Sequence, residues 1–355
     1  MGMRAGFLAA GAARSAVLGS AAFFLSIGIA PAGAADITAP LEAEATSYTY
    51  LNLEGGYIDL DGAKVQGFLQ GSVFDPDETL NFLRERSLNI SQGYYARAEL
   101  GHMWGTGLIN GIGAYVQGWE GDKDDVSGSD LAIGLPYRGE VGRVFNVQIS
   151  NCPVTCDFGQ AQLDRSLTEF GIRLFHDYGE AGGLGHLTLG IEPFIAYIDE
   201  DSKSETGVAF EGQVAITDRR SSDLDAEAYG ALLALDLNHP ILERTALIMR
   251  VAGGPYYVDA DAQTDMVFDT ASTFADEISS NTWGLRGQLA LGLEQKLTDS
   301  FGIGVIGRLD YWSDYPTMDW PEFKNLRGDG VRSNSIASED LLTLSIGARV
   351  SLNFR

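Results

Sequence analysis

Residues 342–354 read Leu342-Thr343-Leu344-Ser345-Ile346-Gly347-Ala348-Arg349-Val350-Ser351-Leu352-Asn353-Phe354, and their alternation decides the fold. Every second side chain is apolar, from Leu342 through Ile346 and Val350 to Phe354. Those between are hydroxyls, Gly347, Arg349 and Asn353. Successive side chains of a strand point to opposite faces, so the segment has one continuous apolar face and one polar face. It is long enough for a tilted strand to cross a hydrocarbon layer of roughly 30 Å. The apolar face would meet lipid and the other a polar interior.

The same period of two recurs upstream. Phe170, Ile172 and Leu174 alternate with Glu169, Gly171 and Arg173. Leu285, Leu289, Leu291 and Leu293 alternate with Arg286, Gln288, Gly292 and Glu294, and Val305 and Leu309 with Gly304, Arg308 and Asp310. Strands are predicted at 47–60, 93–104, 108–120, 166–178, 186–199, 224–237, 245–258, 282–297, 301–313 and 340–354. Their connections alternate in kind. Short turns fall at 105–107, 179–185, 238–244 and 298–300, and long, polar, Asp-rich segments at 61–92, 121–165, 200–223, 259–281 and 314–339. Short periplasmic turns facing long extracellular loops are what an even-stranded outer-membrane barrel requires. The expected fold is all-β: a transmembrane antiparallel up-and-down β-barrel of about ten strands over residues 47–355. Segments 131–137 and 141–149 could add a hairpin and make twelve, although Pro136 argues against that hairpin crossing lipid. In the first long loop, Asp75-Pro76-Asp77-Glu78 supplies a cap, a first-turn proline and acids ahead of 80–88, which reads as a short surface helix.

Residues 1–35 differ from all that follows. Arg4 and Arg14 precede an apolar run over 16–29, then Pro31-Ala32-Gly33-Ala34-Ala35, then Asp36, the first acid of the chain. This reads as a secretory signal peptide with an A-x-A cleavage site; 36–46 would be a short periplasmic segment. No later apolar stretch is long enough for a membrane helix. Export into an oxidising compartment makes Cys152 and Cys156 a structural disulfide closing a small loop. No C-x-x-C-H is present, and no His lies near them to complete a zinc site.

The formal net charge of −25 excludes nucleic acid as a partner, because phosphates need a basic face. Aromatics Tyr57, Tyr94, Trp104, Tyr178, Tyr197, Tyr257, Trp283, Tyr311 and Phe354 fall near predicted strand ends on the apolar face, where rings sit at headgroup level. With its seven alternating apolar positions and Asn353-Phe354-Arg355, the terminal strand resembles the C-terminal assembly signal of Gram-negative outer-membrane proteins; here the aromatic is penultimate. Gly284-Leu285-Arg286-Gly287 and Tyr229-Gly230-Ala231-Leu232 are similar to runs in porin-like members of that class. The resemblance implies an outer-membrane location, contact with lipid and lipopolysaccharide, and recognition of Phe354 by the barrel assembly machinery.

Chemistry is sparse in the predicted loops. The four histidines, His102, His176, His186 and His239, all lie beside predicted periplasmic turns, away from surface substrates, so no enzyme is expected. Acidic clusters Asp122, Asp124 and Asp125; Asp199, Glu200 and Asp201; and Asp259, Asp261 and Asp265 could bind Ca²⁺ or Mg²⁺ weakly. They read rather as solvated loop tips, since no D-x-[DN]-x-[DN]-G pattern occurs, and no cofactor is expected. The predicted lumen is richer: Glu54, Arg97, Glu99, Glu169, Arg173, Glu192, Asp236, Arg250, Arg286, Glu294, Arg308, Asp310 and Arg349. These would form either an ion-paired plug or the walls of a narrow pore. A cylinder roughly 20 Å across nears the filled limit, but inward glycines such as Gly111, Gly171, Gly284 and Gly347 would leave gaps. Two functions are expected as alternatives: a porin-like barrel with a narrow or closed pore for small hydrophilic solutes and a structural role, or a surface-binding protein whose long loops dock an envelope partner.

Overall fold

The computed structural model describes residues 47–61, 65–74, 80–89, 91–104, 107–122, 124–130, 132–136, 145–149, 155–180, 185–210, 213–268, 272–319 and 335–354. The expected signal peptide, the 36–46 segment and the Cys152 side of the expected disulfide lie outside the described residues.

Among the described residues fifteen strands follow in chain order: β1 (Tyr48–Asp61), β2 (Val65–Phe74), β3 (Leu80–Leu88), β4 (Gln92–Met103), β5 (Gly111–Gly121), β6 (Asp124–Asp130), β7 (Ala132–Pro136), β8 (Phe145–Ile149), β9 (Thr155–Glu180), β10 (His186–Phe210), β11 (Gln213–Leu242), β12 (Thr245–Phe268), β13 (Ser272–Lys296), β14 (Phe301–Asp319) and β15 (Ser335–Phe354). Ten of them close into one antiparallel ring, β1-β4-β5-β9-β10-β11-β12-β13-β14-β15, with β15 returning to β1. Leu51 of β1 faces Leu352 on one side and Leu100 on the other, so the period of two keeps the apolar side chains in register around the wall. Gly107, Gly179 and Gly185 take positive φ angles of 122°, 69° and 94° in the short-turn regions.

Two expectations are overturned. Most of the long loops are not loops. Above the predicted span, β9 to β13 continue as hydrogen-bonded ladder, with β10 and β11 paired from His186↔Asn238 up to Phe210↔Gln213. β6 pairs with β9 and extends the line of β5, from Asp124↔Leu163 to Asp130↔Asp157. Once neighbouring strands satisfy each other's backbone groups, the ladder has no reason to stop where lipid stops. Residues 80–88 are a strand and not a helix. β3 pairs with β2, β2 with β7 and β7 with β8, in a separate four-stranded sheet beside β9 and β10. A ladder partner outweighs the local capping signal of Asp75 and Pro76. The suspected extra hairpin is therefore β7–β8, and it does not enter the ring.

The wall is uneven at one point. β13 pairs with β14 only from Arg286↔Trp312 down to Lys296↔Gly302. At Asp314, φ is 57°, the β14–β15 register shifts, and the tip of β14 turns inward so that Tyr315, Thr317 and Met318 are buried.

Candidate functional site

Parity along each strand places the charged residues inside the ring. Arg97 bridges Glu99 at 2.9 Å, and Glu99 meets Arg173 of β9 at 3.2 Å. Arg173 also reaches Glu192 at 3.2 Å and Asp236, and Arg250 holds the same two carboxylates from β12, Asp236 at 3.3 Å. Arg286 spans Glu169 at 2.7 Å and Asp310 at 2.6 Å. Glu54 takes Arg308 at 2.6 Å and Arg349 at 2.8 Å, and Arg349 continues to Glu294 at 3.2 Å. Gln117 couples two of these groups, accepting from Arg97 at 2.6 Å and donating to Glu169 at 2.9 Å. Each charged residue expected in the lumen thus has an opposite charge against it, and both Glu169 and Glu192 are fully buried. Glu169 has Arg286 as its one ion-pair partner, so losing Arg286 would leave a buried carboxylate without a counter-charge in contact.

The expected gaps beside glycines are filled. Tyr115 stands directly opposite Gly171, Phe175 opposite Gly111, Tyr50 opposite Gly101 and Tyr256 opposite Gly284. In each pair the ring lies where a glycine Cβ would have been. The hydroxyls of Tyr50 and Tyr115 donate to Glu99 at 2.9 Å and Glu169 at 2.7 Å, tying the rings into the ionic layer. Above it, Phe194, Trp312 and Tyr256 meet edge to face, and the Arg286 guanidinium lies over Trp312 at 4.1 Å and Phe194 at 4.9 Å. Higher still, Ile198, Leu224, Val258, Ala260, Leu163 and Leu88 are buried together in an apolar cluster.

The sequence reading missed a second set of buried polar contacts, at the height of the apolar cluster. Arg165 bonds Glu200 at 2.6 Å and Thr317 at 2.8 Å, and the Met318 amide donates to Glu200 at 3.1 Å, pinning the inward tip of β14 to the far wall. Parity could have found it, because Glu200 follows Glu192 by an even step on β10. Glu200 therefore points inward and leaves the acidic trio to which it was assigned; among the described residues no three His, Cys, Asp or Glu side chains converge as a metal site.

Outside, Leu100, Ile172, Ile191, Leu233, Val251, Leu291, Val305 and Ile346 form an exposed apolar band. Exposed Tyr57, Tyr94, Tyr197, Tyr229 and Trp283 border it above, and Trp104, Tyr178 and Phe354 below. Water would reject such a surface; a bilayer with aromatic anchoring at both interfaces accepts it. No family model matches the sequence, and no curated protein does. Three solved structures share the architecture. The outer-membrane protease OmpT of Escherichia coli is 9% identical, with 86% of this chain and 97% of that chain covered and a TM-score of 0.46. The translocator domain of autotransporter NalP from Neisseria meningitidis is 12% identical over 98% of each, with a TM-score of 0.33. A deletion mutant of the monoaromatic hydrocarbon channel TodX is 11% identical, covering 88% and 91%, with a TM-score of 0.24.

The chain is a ten-stranded β-barrel of the membrane-spanning kind. The likenesses extend to the type of fold and no further. One expectation is corrected by them: the chain was not expected to be an enzyme, but the first of these barrels is a protease, so this architecture does not exclude catalysis. The barrel keeps its histidines at the end that carries the short turns. His102 lies 3.0 Å from Ser47 and from Thr49, His176 packs edge-on against Tyr178, and His186 is 3.8 Å from Asp177. Phe354, the expected assembly signal, is exposed there and pairs with Thr49 at the closing seam. Above the upper aromatic ring the outer face turns acidic. Asp199 stands opposite Asp225 and Asp225 opposite Asp261, Asp201 faces Asp223, and Glu227 faces Asp259. Partial burial, followed by a shared hydrogen bond with Asp201 or Asp199, pushes Asp223 and Asp225 up to about 6.

Proposed function

We propose that this barrel is sealed through the membrane and acts at its extracellular end, as a surface-binding protein and not as a conducting porin. The observation that carries the reading is the filled interior, with ion pairs, glycine-seated rings and an apolar layer in succession. A cavity bordered by Arg308, Asp310, Gln117 and Gln288 measures about 50 Å³, room for a few waters at most. Supporting it from above, the strands rise well past the aromatic ring and build a rigid platform where simple connection would need only turns. Single-channel recording of the refolded, signal-free protein in a planar bilayer tests the reading, with heat-modifiable gel mobility as proof of folding. The expected outcome is silence from folded protein; steady unitary conductance would restore the porin reading.

A further inference from the structure

We propose that the upper edge of β13, residues 272–283, is a docking site for an extended, positively charged polypeptide segment of a partner, which adds to the wall as a strand. The inference rests on the surface-binding reading above and gives it a place and a ligand chemistry.

The first observation is the missing neighbour. β12 accompanies β13 as far as Phe268↔Ser272, but the β13–β14 ladder begins only at Arg286. Beyond Trp312 the β14 backbone bends away, pairs with β15 from Tyr315↔Glu339 to Asp319↔Ser335, and delivers Thr317 to Glu200 across the interior. Among the described residues no strand pairs with 272–283 on that side; below it Ser313 of β14 lies beside Gly284 and takes the Leu285 amide on its hydroxyl at 2.8 Å. The second observation is exposure. The inward positions of β12 at this height, Val258, Ala260 and Ala262, are 1–4% exposed, whereas Asp276, Ile278, Ser280 and Thr282 of β13 are only half-buried. Among the described residues no further strand closes the wall along this edge.

The third observation concerns protection. Edge strands that must stay solitary carry lysines, prolines or bulges that repel a second strand. Residues 272–283 contain no Pro and no Lys or Arg, their ladder with β12 has no register shift, and Asp276 is the one charge on their inward face. Such an edge is a template for β-augmentation, in which ladder hydrogen bonds hold the peptide and side chains select it. Charge does the selecting here. Glu277 and Asp276 lie on the edge strand, Asp259, Asp261 and Asp265 on the next, and 251–285 contains no basic residue. A segment with Lys or Arg at alternate positions would set its cations opposite Glu277 on the outer face. Its intervening apolar or β-branched residues would lie beside Ile278 and Thr282. A second copy of this edge would place Glu277 and Asp276 among like charges, so self-pairing is disfavoured.

The test uses the full refolded barrel in nanodiscs and a labelled synthetic peptide of alternating Lys and Val, about ten residues long. Fluorescence anisotropy should show saturable binding that a Glu and Val peptide lacks. Glu277→Lys, an outward change that spares the ladder, should weaken binding at least tenfold at unchanged gel mobility. Ser280→Pro should also weaken it; where that variant fails to fold, crosslinking of a cysteine peptide to Ser279→Cys, and not to Ser338→Cys, replaces it. Binding that survives Ser280→Pro in folded protein, or crosslinking at both positions, would mean diffuse attraction to the acidic face and would overturn the proposal. So would a dimer in sedimentation that Glu277→Lys disrupts, since a second copy would then hold the edge. A silent barrel that fails to bind the peptide overturns the edge alone; a conducting barrel that binds it overturns only the sealed interior.

Discussion

Below the upper aromatic ring the barrel carries its charges inside and its apolar residues outside; above it the outer face turns acidic, while the interior mixes apolar side chains with hydroxyls and the buried Arg165–Glu200 pair. β11 shows the change within one strand. Asp236 points inward to Arg173 and Arg250, while Asp223 and Asp225 point outward against Asp201 and Asp199. Inward neighbours of the latter, Leu224 and Ala226, belong to the apolar core. The surroundings decide the arrangement. Where the outer solvent is lipid, polar groups retreat inward and must be neutralised; where it is water, carboxylates face out and tolerate like-charged neighbours because the solvent screens them.

The comparison can be broken most forcefully at Arg286. Arg286→Ala leaves Glu169 and Asp310 without their shared cation beneath the aromatic layer, and should cost about 3–5 kcal/mol. The exposed pair Arg219–Glu205, at 3.0 Å above the membrane, should lose under about 1 kcal/mol on Arg219→Ala. Unfolding in lipid, followed by loss of heat-modifiable mobility, compares the two; equal costs would show that the interior pairs are as hydrated as surface ones.

A smaller effect is expected from the glycines. Gly171→Ala sets a methyl into the Tyr115 ring and should cost about 1–3 kcal/mol, whereas Gly287→Ala, which meets nothing within 4 Å, should be near neutral. If the two variants unfold together, the rings are not seated on their glycines.

The weakest expected effect sharpens the upper half. Because Asp223 and Asp225 are raised to about 6 in the folded barrel, above an ordinary carboxylate near 4, the folded state holds extra protons between those values. Their stabilising contribution is complete below about pH 4 and is lost as pH rises through about 6. Melting at pH 5 should therefore exceed melting at pH 7.5, and Asp223→Asn with Asp225→Asn should flatten the difference. Opposed like charges are worth about 0.2–1 kcal/mol per pair, which sets the size of the shift.

The sequence was legible where lipid imposes alternation. Leu289, Leu291 and Leu293 declared the outward face, and the charged lumen positions followed by parity. Hydropathy went quiet above Tyr197 because both faces there are polar, with Lys203 and Glu205 outside and Ser202 and Ser204 inside. The ladder continued, and only the difference between charged and hydroxyl side chains recorded it. The seating of Tyr115 on Gly171 was invisible for another reason: it depends on which residues of two separate strands stand opposite one another, and one strand's pattern does not contain its partner's register. The helix read at 80–88 failed because caps are local signals and β2 is not.

The seam between β1 and β15 has a consequence for how the molecule comes into being. It joins Thr49 to Phe354, so the contact that completes the ring links its first and last strands, about 300 residues apart in sequence. Loop-closure entropy makes such non-local pairings slow. Until the last segment has emerged, every earlier strand lacks a closed wall, and β1 keeps one side bare. The unclosed form exposes unpaired strand edges, and the chain's surplus of negative charge, by self-repulsion, opposes association between copies of that form.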